Sequence, residues 1–156
     1  MEKEIKTPDW YQVAEVELVY KTKVKASQRP TITSSKDIHE LLKGLWNPDK
    51  IEMIEEFKVL FLNRGNKVLG VLDVSSGGIT GTVADPRIIL AAAIKANAVH
   101  LIIAHNHPSG ALKPSRADEL LTTKIKEGAL LFDIKLLDHI IMTAESYYSF
   151  ADEGLL

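Results

Sequence analysis

Residues 99–118 read VHLIIAHNHPSGALKPSRAD, a buried strand that runs directly into groups able to do chemistry. The run 99–104 is short and apolar, as expected of a strand covered on both faces. His105 and His107 continue it. Successive strand side chains point to opposite faces, so the two imidazoles project the same way. They do so at the carboxyl end of the strand, where α/β folds place their ligand sites. Pro108 and Gly110 then turn the chain sharply, and a helix follows from about Ser115 with Asp118 in its first turn. At about 100° per residue, Asp118 shares an azimuth with Ile125 and lies near Leu121 and Ala129. Glu119, Lys126 and Glu127 take the outward arc. A carboxylate aimed inward needs a partner, because burying an unpaired charge is costly. A metal ion held by the two histidines supplies one, and three protein ligands leave a fourth position for water, as catalytic zinc requires.

A simpler account of the same residues stands beside this one. Ser115-x-x-Asp118 also matches a helix capping box, and Ser34-x-x-Asp37 has the same form with no histidine pair nearby. Either histidine alone is an ordinary packed or surface residue. The metal reading rests on the combination of a same-face pair, a turn and an inward acid on the adjoining helix.

Outward from this segment, strands and helices interleave. Residues 12–25 alternate β-branched and aromatic side chains and predict a strand, with Lys21, Lys23 and Lys25 on one face guarding its edge. Ser34 or Ser35 opens a short helix that Asn47-Pro48 closes. Residues 57–63 and 67–74 predict two strands around an Arg64-Gly65-Asn66 turn. A loop at 75–78 and a short strand at 79–83 come next. Gly77, Gly78 and Gly81 do not form a phosphate loop, because they lead into a strand rather than a helix N-terminus. Asp85-Pro86 caps an Ala/Ile-rich helix ending near Asn97, and the helix from Ser115 runs to about Leu131. Strands at 134–142 and 147–150 complete a mixed sheet flanked by helices, an α/β (α+β) architecture.

The chain has 156 residues, 46% of them hydrophobic, enough for one core. It contains no cysteine, which removes disulfides and thiolate metal ligands and fits a reducing cytoplasm. The first residues lack the apolar stretch of a secretory signal, and no apolar run approaches the roughly 20 residues that span a bilayer. A net charge of −2 gives no basic footprint for a nucleic-acid backbone.

The spacing His-x-His, seven residues, Ser-x-x-Asp resembles the JAMM signature of the JAB/MPN metalloenzymes. The wider text, AHNHPSG and PSRAD followed by LDHII and SFADEGLL, resembles the RadC family of bacteria from about Glu55 onward. The resemblance implies a JAB/MPN (cytidine deaminase-like) fold over 51–156, with 1–50 as an N-terminal extension of strand and short helix packed on it. It implies one Zn2+ per chain on His105, His107 and Asp118, and hydrolysis of a peptide or isopeptide bond in a protein substrate. In that scheme a glutamate before an early strand is the general base. Glu55 shares strand parity with Phe57, Val59 and Phe61 and stands two before the phenylalanine; Glu56, which shares parity with Lys58, is the second candidate. Ser115 would donate to the oxyanion. An extended peptide held against a sheet edge, with 79–83 as that edge, is the expected mode of recognition.

Three further expectations follow. His139 belongs to the family text and is read as a packed histidine rather than a fourth ligand, and His39 and His100 as structural. Residues 1–50 carry no version of the helix-hairpin-helix region typical of RadC proteins, so a nonenzymatic accessory role in DNA repair or metabolism is the alternative rather than the leading reading. A deaminase is disfavoured, because those enzymes bind zinc through Cys-x-x-Cys.

Overall fold

Ser34 and Asp37 form a reciprocal capping box that starts helix α1 (Ser35–Leu45), and Asp85 caps helix α2 (Pro86–Lys95) ahead of its first-turn proline. Ser115 and Asp118 repeat the capping box at helix α3 (Arg116–Leu130). These elements come from a computed structural model that describes residues 14–17, 19–77 and 84–156. Its strands are β1 (Glu56–Leu62), β2 (Val68–Ser76), β3 (His100–Asn106), β4 (Lys135–Met142) and β5 (Tyr147–Ser149). They form one five-stranded sheet in the order β2-β1-β3-β4-β5. β3 and β4 pair in parallel, with α3 as the crossover that parallel pairing demands, and the other neighbours are antiparallel. The mixed sheet flanked by helices is the architecture the sequence predicts.

Side-chain alternation sorts the core onto two faces. Phe57, Val59, Phe61, Leu101 and Ile103 meet Ile89 and Ala93 of α2 and Ile125 and Ala129 of α3. Leu60, Leu62, Ile102, Ala104, Ile140 and Met142 meet Ile38, Leu42 and Trp46 on the α1 side. β3 lies between β1 and β4, so its residues are covered above, below and on both sides. At the β1–β2 turn Asn66 takes φ 59°, and Asn63 Oδ1 accepts from the N–H groups of Gly65 and Lys67 at 3.1 and 3.0 Å.

One irregularity sets up the site. In the β3–β4 ladder Leu101 pairs with Leu136 but Ile102 pairs with Asp138, so Leu137 is an extra residue, a β-bulge. It reverses the parity of β4. Leu136 before it and His139 after it therefore both face α3.

Two expectations are corrected. None of the described residues in 14–25 belongs to a strand. Val16, Val19 and Val24 are 87%, 47% and 49% exposed, and β-branched residues do not make a strand without a neighbour to pair with or pack on. The segment touches the sheet through the Tyr20 hydroxyl, which donates to the Leu69 carbonyl. The lysines at 21, 23 and 25 are exposed and lie on no strand. Residues 75 and 76, read as loop, extend β2 to Ser76 by pairing with Phe57 and Glu56. The strand expected at 79–83 lies outside the described residues. No helix among the described residues is long and apolar enough to cross a membrane.

Candidate metal centre

β3 ends at Asn106, but its pairing with β4 continues one step further because the His107 N–H donates to the Met142 carbonyl at 2.9 Å. That bond keeps His107 in strand geometry, on the same face as His105. The chain then turns on Gly110, whose φ of +82° favours glycine, and the Gly110 N–H closes the turn on the His107 carbonyl at 3.0 Å. The turn returns the chain to α3, whose first turn brings Asp118 to the two imidazoles.

His105 Nε2 lies 3.0 Å from His107 Nε2. Asp118 Oδ1 is 3.3 Å from His105 Nε2, and Asp118 Oδ2 is 3.4 Å from His107 Nε2. A tetrahedral zinc with bonds of about 2.0–2.1 Å sets its ligand atoms about 3.3 Å apart. The three donors are spaced for such an ion, and this His-His-Asp group can hold a metal.

The capping box and the His-His-Asp group share one carboxylate. Asp118 Oδ2 accepts from the Ser115 N–H at 2.8 Å, while Ser115 Oγ accepts from the Asp118 N–H at 3.1 Å. The cap fixes the carboxylate's rotamer, and the fixed carboxylate faces the histidines. Ser115 Oγ is exposed at the helix N-terminus and keeps its own hydroxyl proton to donate.

The electrostatics follow from the geometry. Burial opposes ionisation of Asp118, but hydrogen bonds from His105 and His107 hold its carboxyl well below the usual carboxylate range. His107 is shifted upward, first by its bond to Asp118 and against its burial. Glu55 lies just before β1, half-buried, and burial raises its pKa; the charges that act on it are those of His105, His107 and Asp118. Glu56 turns the other way, and its carboxylate sits 3.3 Å from Lys58 Nζ. Of the two glutamates, Glu55 is therefore the one that feels the charges of the cluster.

Asn106, His139 and Thr122 join the site although nothing in the sequence reading assigned them a role there. Asn106 is fully buried on the opposite face from the histidines. Its Oδ1 accepts from the Glu56 N–H at 2.7 Å, and its Nδ2 donates to the carbonyls of Ile51 and Ile54 at 2.7 and 2.8 Å. His139 is also fully buried, stacked on Phe150 with ring centroids 4.5 Å apart, and burial holds its pKa well below the usual histidine value. Its Nε2 is 2.8 Å from His105 Nδ1, and its Nδ1 is 2.6 Å from Thr122 Oγ1. Thr122 stands one helical turn after Asp118, the spacing that puts two side chains on one helix face. His39 stacks on Tyr147 with centroids 4.3 Å apart, and His100 Nδ1 meets Asn66 Oδ1 at 2.6 Å, so both serve packing as expected.

Comparison with known proteins extends the picture beyond the ligand spacing. A UPF0758 protein of Flavobacterium johnsoniae is 46% identical over 124 residues, which are 80% of this chain and 53% of that protein. UPF0758 proteins of Leptothrix cholodnii and Rubrobacter xylanophilus are 40% and 37% identical over 131 and 129 residues, 83% and 82% of this chain. They cover 57% and 55% of those proteins, so the chain spans about half the length of the curated relatives it matches. The family model described as "RadC-like JAB domain" matches residues 32–155, which takes in α1 together with the whole sheet and the His-His-Asp group. On that match, the chain belongs to the RadC-like JAB domain family.

Proposed function

We propose that the chain is a zinc-dependent hydrolase that cleaves a peptide or isopeptide bond in a protein substrate, with one Zn2+ held by His105, His107 and Asp118. One observation carries the reading. Two imidazole nitrogens 3.0 Å apart meet a carboxylate whose two oxygens lie 3.3 and 3.4 Å from them, and the half-buried Glu55 has those same three side chains as its electrostatic neighbours. Membership of the RadC-like JAB domain family supports a metal-dependent, hydrolase-like role.

The chemistry a zinc ion supplies there is acidification of water from a pKa of about 15.7 toward about 7, together with polarisation of a carbonyl. The chain's own residues do the rest. Glu55, its basicity raised by burial, takes the proton from the attacking water and returns it to the leaving amine. Ser115 donates a hydrogen bond from its hydroxyl to the oxygen of the attacked carbonyl, a fixed donor where negative charge develops. The capping box holds that serine still while it does so. His107 Nδ1 donates to the Ala111 carbonyl at 2.7 Å, which leaves Nε2 with its lone pair toward the site.

The deciding experiment combines zinc stoichiometry on the purified chain with cleavage of a peptide library. One zinc per chain, with cleavage lost in Glu55→Gln at unchanged zinc content, is the expected outcome. Equal cleavage by wild type and Glu55→Gln removes Glu55 from the mechanism. An absence of both zinc and cleavage refutes the reading.

A further inference from the structure

We propose that His139 and Thr122 are positioning residues that lock His105 into the tautomer able to bind a metal, by means of a hydrogen-bonded chain that runs from the Asp118 carbonyl through Thr122 and His139 to His105. The proposal rests on the metal-site reading above and extends it to two residues outside the ligand set.

The direction of each bond follows from the inventory of protons. Thr122 Oγ1 lies 2.7 Å from the Asp118 carbonyl, which can only accept. The hydroxyl has one proton, so that proton points to the carbonyl and the oxygen must accept from its other partner. That partner is His139 Nδ1 at 2.6 Å, which therefore carries a hydrogen. A neutral imidazole has one N–H, so His139 Nε2 is an acceptor. Its neighbour at 2.8 Å, His105 Nδ1, must then be a donor. With Nδ1 protonated, neutral His105 presents a lone pair on Nε2, the atom that faces His107 and Asp118. His107 reaches the same state independently, through its Nδ1 bond to the Ala111 carbonyl. Two lone-pair nitrogens 3.0 Å apart are stable only with a cation or a proton between them.

The chain is compact because α3 supplies its start and also the carboxylate that faces its far end. Asp118 contributes its carboxylate to the ligand group and its main-chain oxygen to Thr122, four residues later on the same helical face. His139 completes it only because the Leu137 bulge turns it toward α3. Phe150 stacked on one side at 4.5 Å, and Phe57 at 6.0 Å, hold its ring in place. Partners of this kind on a ligating histidine typically contribute 10–100-fold to metal affinity.

The test compares zinc affinity, by chelator competition, in wild type, Thr122→Val, Thr122→Ser and His139→Phe, alongside nitrogen NMR of the imidazoles. Thr122→Val keeps the shape but cannot accept, and should weaken zinc binding by about tenfold, with His139→Phe weakening it by about 10–100-fold. Thr122→Ser restores the hydroxyl and should restore affinity. In wild type the His139 proton should sit on Nδ1, and in Thr122→Val it should redistribute between the nitrogens. A folded Thr122→Val protein with wild-type zinc affinity overturns the proposal, as does a wild-type His139 protonated on Nε2. Failure of the hydrolase reading looks different: the ordered loss of zinc affinity remains, but no peptide is cut by any of the proteins.

Discussion

Asn106 Oδ1 accepts the Glu56 N–H at 2.7 Å, tying the strand that carries both histidines to the segment that carries Glu55. The same side chain donates to the Ile51 and Ile54 carbonyls, so three main-chain groups of 51–56 hang on one buried amide. Neighbouring strand residues face opposite ways, so the position between the two histidines is free to grip the far side of the sheet. Asn106→Ala leaves those groups unsatisfied, at roughly 1–3 kcal/mol each where they stay buried. The expected result is a folded but destabilised protein that still binds zinc and cuts peptide at least tenfold more slowly. Wild-type turnover in Asn106→Ala would show that Glu55 is placed without it.

Glu55 should also reveal itself through stability. Burial favours its neutral form, so its folded pKa lies above the ordinary value of 4.5. An acid shifted upward destabilises the fold once pH rises past its unfolded pKa, and the penalty reaches its full size above the folded pKa. Glu55→Gln removes a charge that the fold tolerates poorly. In metal-free protein it should therefore melt higher than wild type at neutral pH, with the gap closing as pH falls toward 4.5. Thermal melts from acid to neutral pH check this; a variant that melts lower at neutral pH contradicts it.

The two capping boxes offer an internal control for Ser115. Ser34 and Ser115 make the same reciprocal bonds at the starts of α1 and α3. Replacing either with alanine should cost about 1 kcal/mol of stability. Ser34→Ala should leave turnover unchanged, because α1 packs on the other face of the sheet. Ser115→Ala should lower kcat by about 10²–10³ if its hydroxyl serves the developing oxyanion. Equal kinetics in the two variants would leave Ser115 as a cap alone.

What the sequence made legible was short-range and periodic. Alternation along β3 placed His105 and His107 together, and the helical azimuth turned Asp118 toward them, because both periods hold over a few residues without outside help. His139 escaped for a specific reason. Strict alternation through 134–142 sets it opposite Leu136, and only the bulge at Leu137 brings it round to His105. Asn106 was hidden by the same alternation that revealed the histidines, since its work lies across the sheet in a loop 50 residues away. Residues 14–25 misled in the other direction: their β-branched pattern is genuine, but strands are made by partners, and Val16 and Val24 stay 87% and 49% exposed. The cap and the site do not compete for Asp118, because the carboxylate that closes the capping box also lies 3.3 and 3.4 Å from the two imidazoles.

That double duty can be separated by Asp118→Asn. Asparagine keeps an oxygen to accept from the Ser115 N–H, so α3 should retain its start and its circular-dichroism signal. It loses the negative charge that an ion requires. For wild type, zinc at 100 times its Kd should stabilise the fold by about 2.7 kcal/mol. In a domain of this size each kcal/mol raises Tm by roughly 2–4 °C, so a shift of roughly 5–11 °C is expected, reversed by chelator. Asp118→Asn should show no such shift. The metal-free proteins carry a second signature. Burial opposes the Asp118 charge, but the bonds from His105 and His107 hold its folded pKa below the ordinary 3.8. A depressed acid stabilises the fold above its unfolded pKa and loses that contribution as pH falls. Metal-free wild type should therefore melt above Asp118→Asn at neutral pH and converge with it as the pH drops below 3.8. A zinc-dependent rise in Tm that survives in Asp118→Asn would mean that the ion binds somewhere other than between these three side chains.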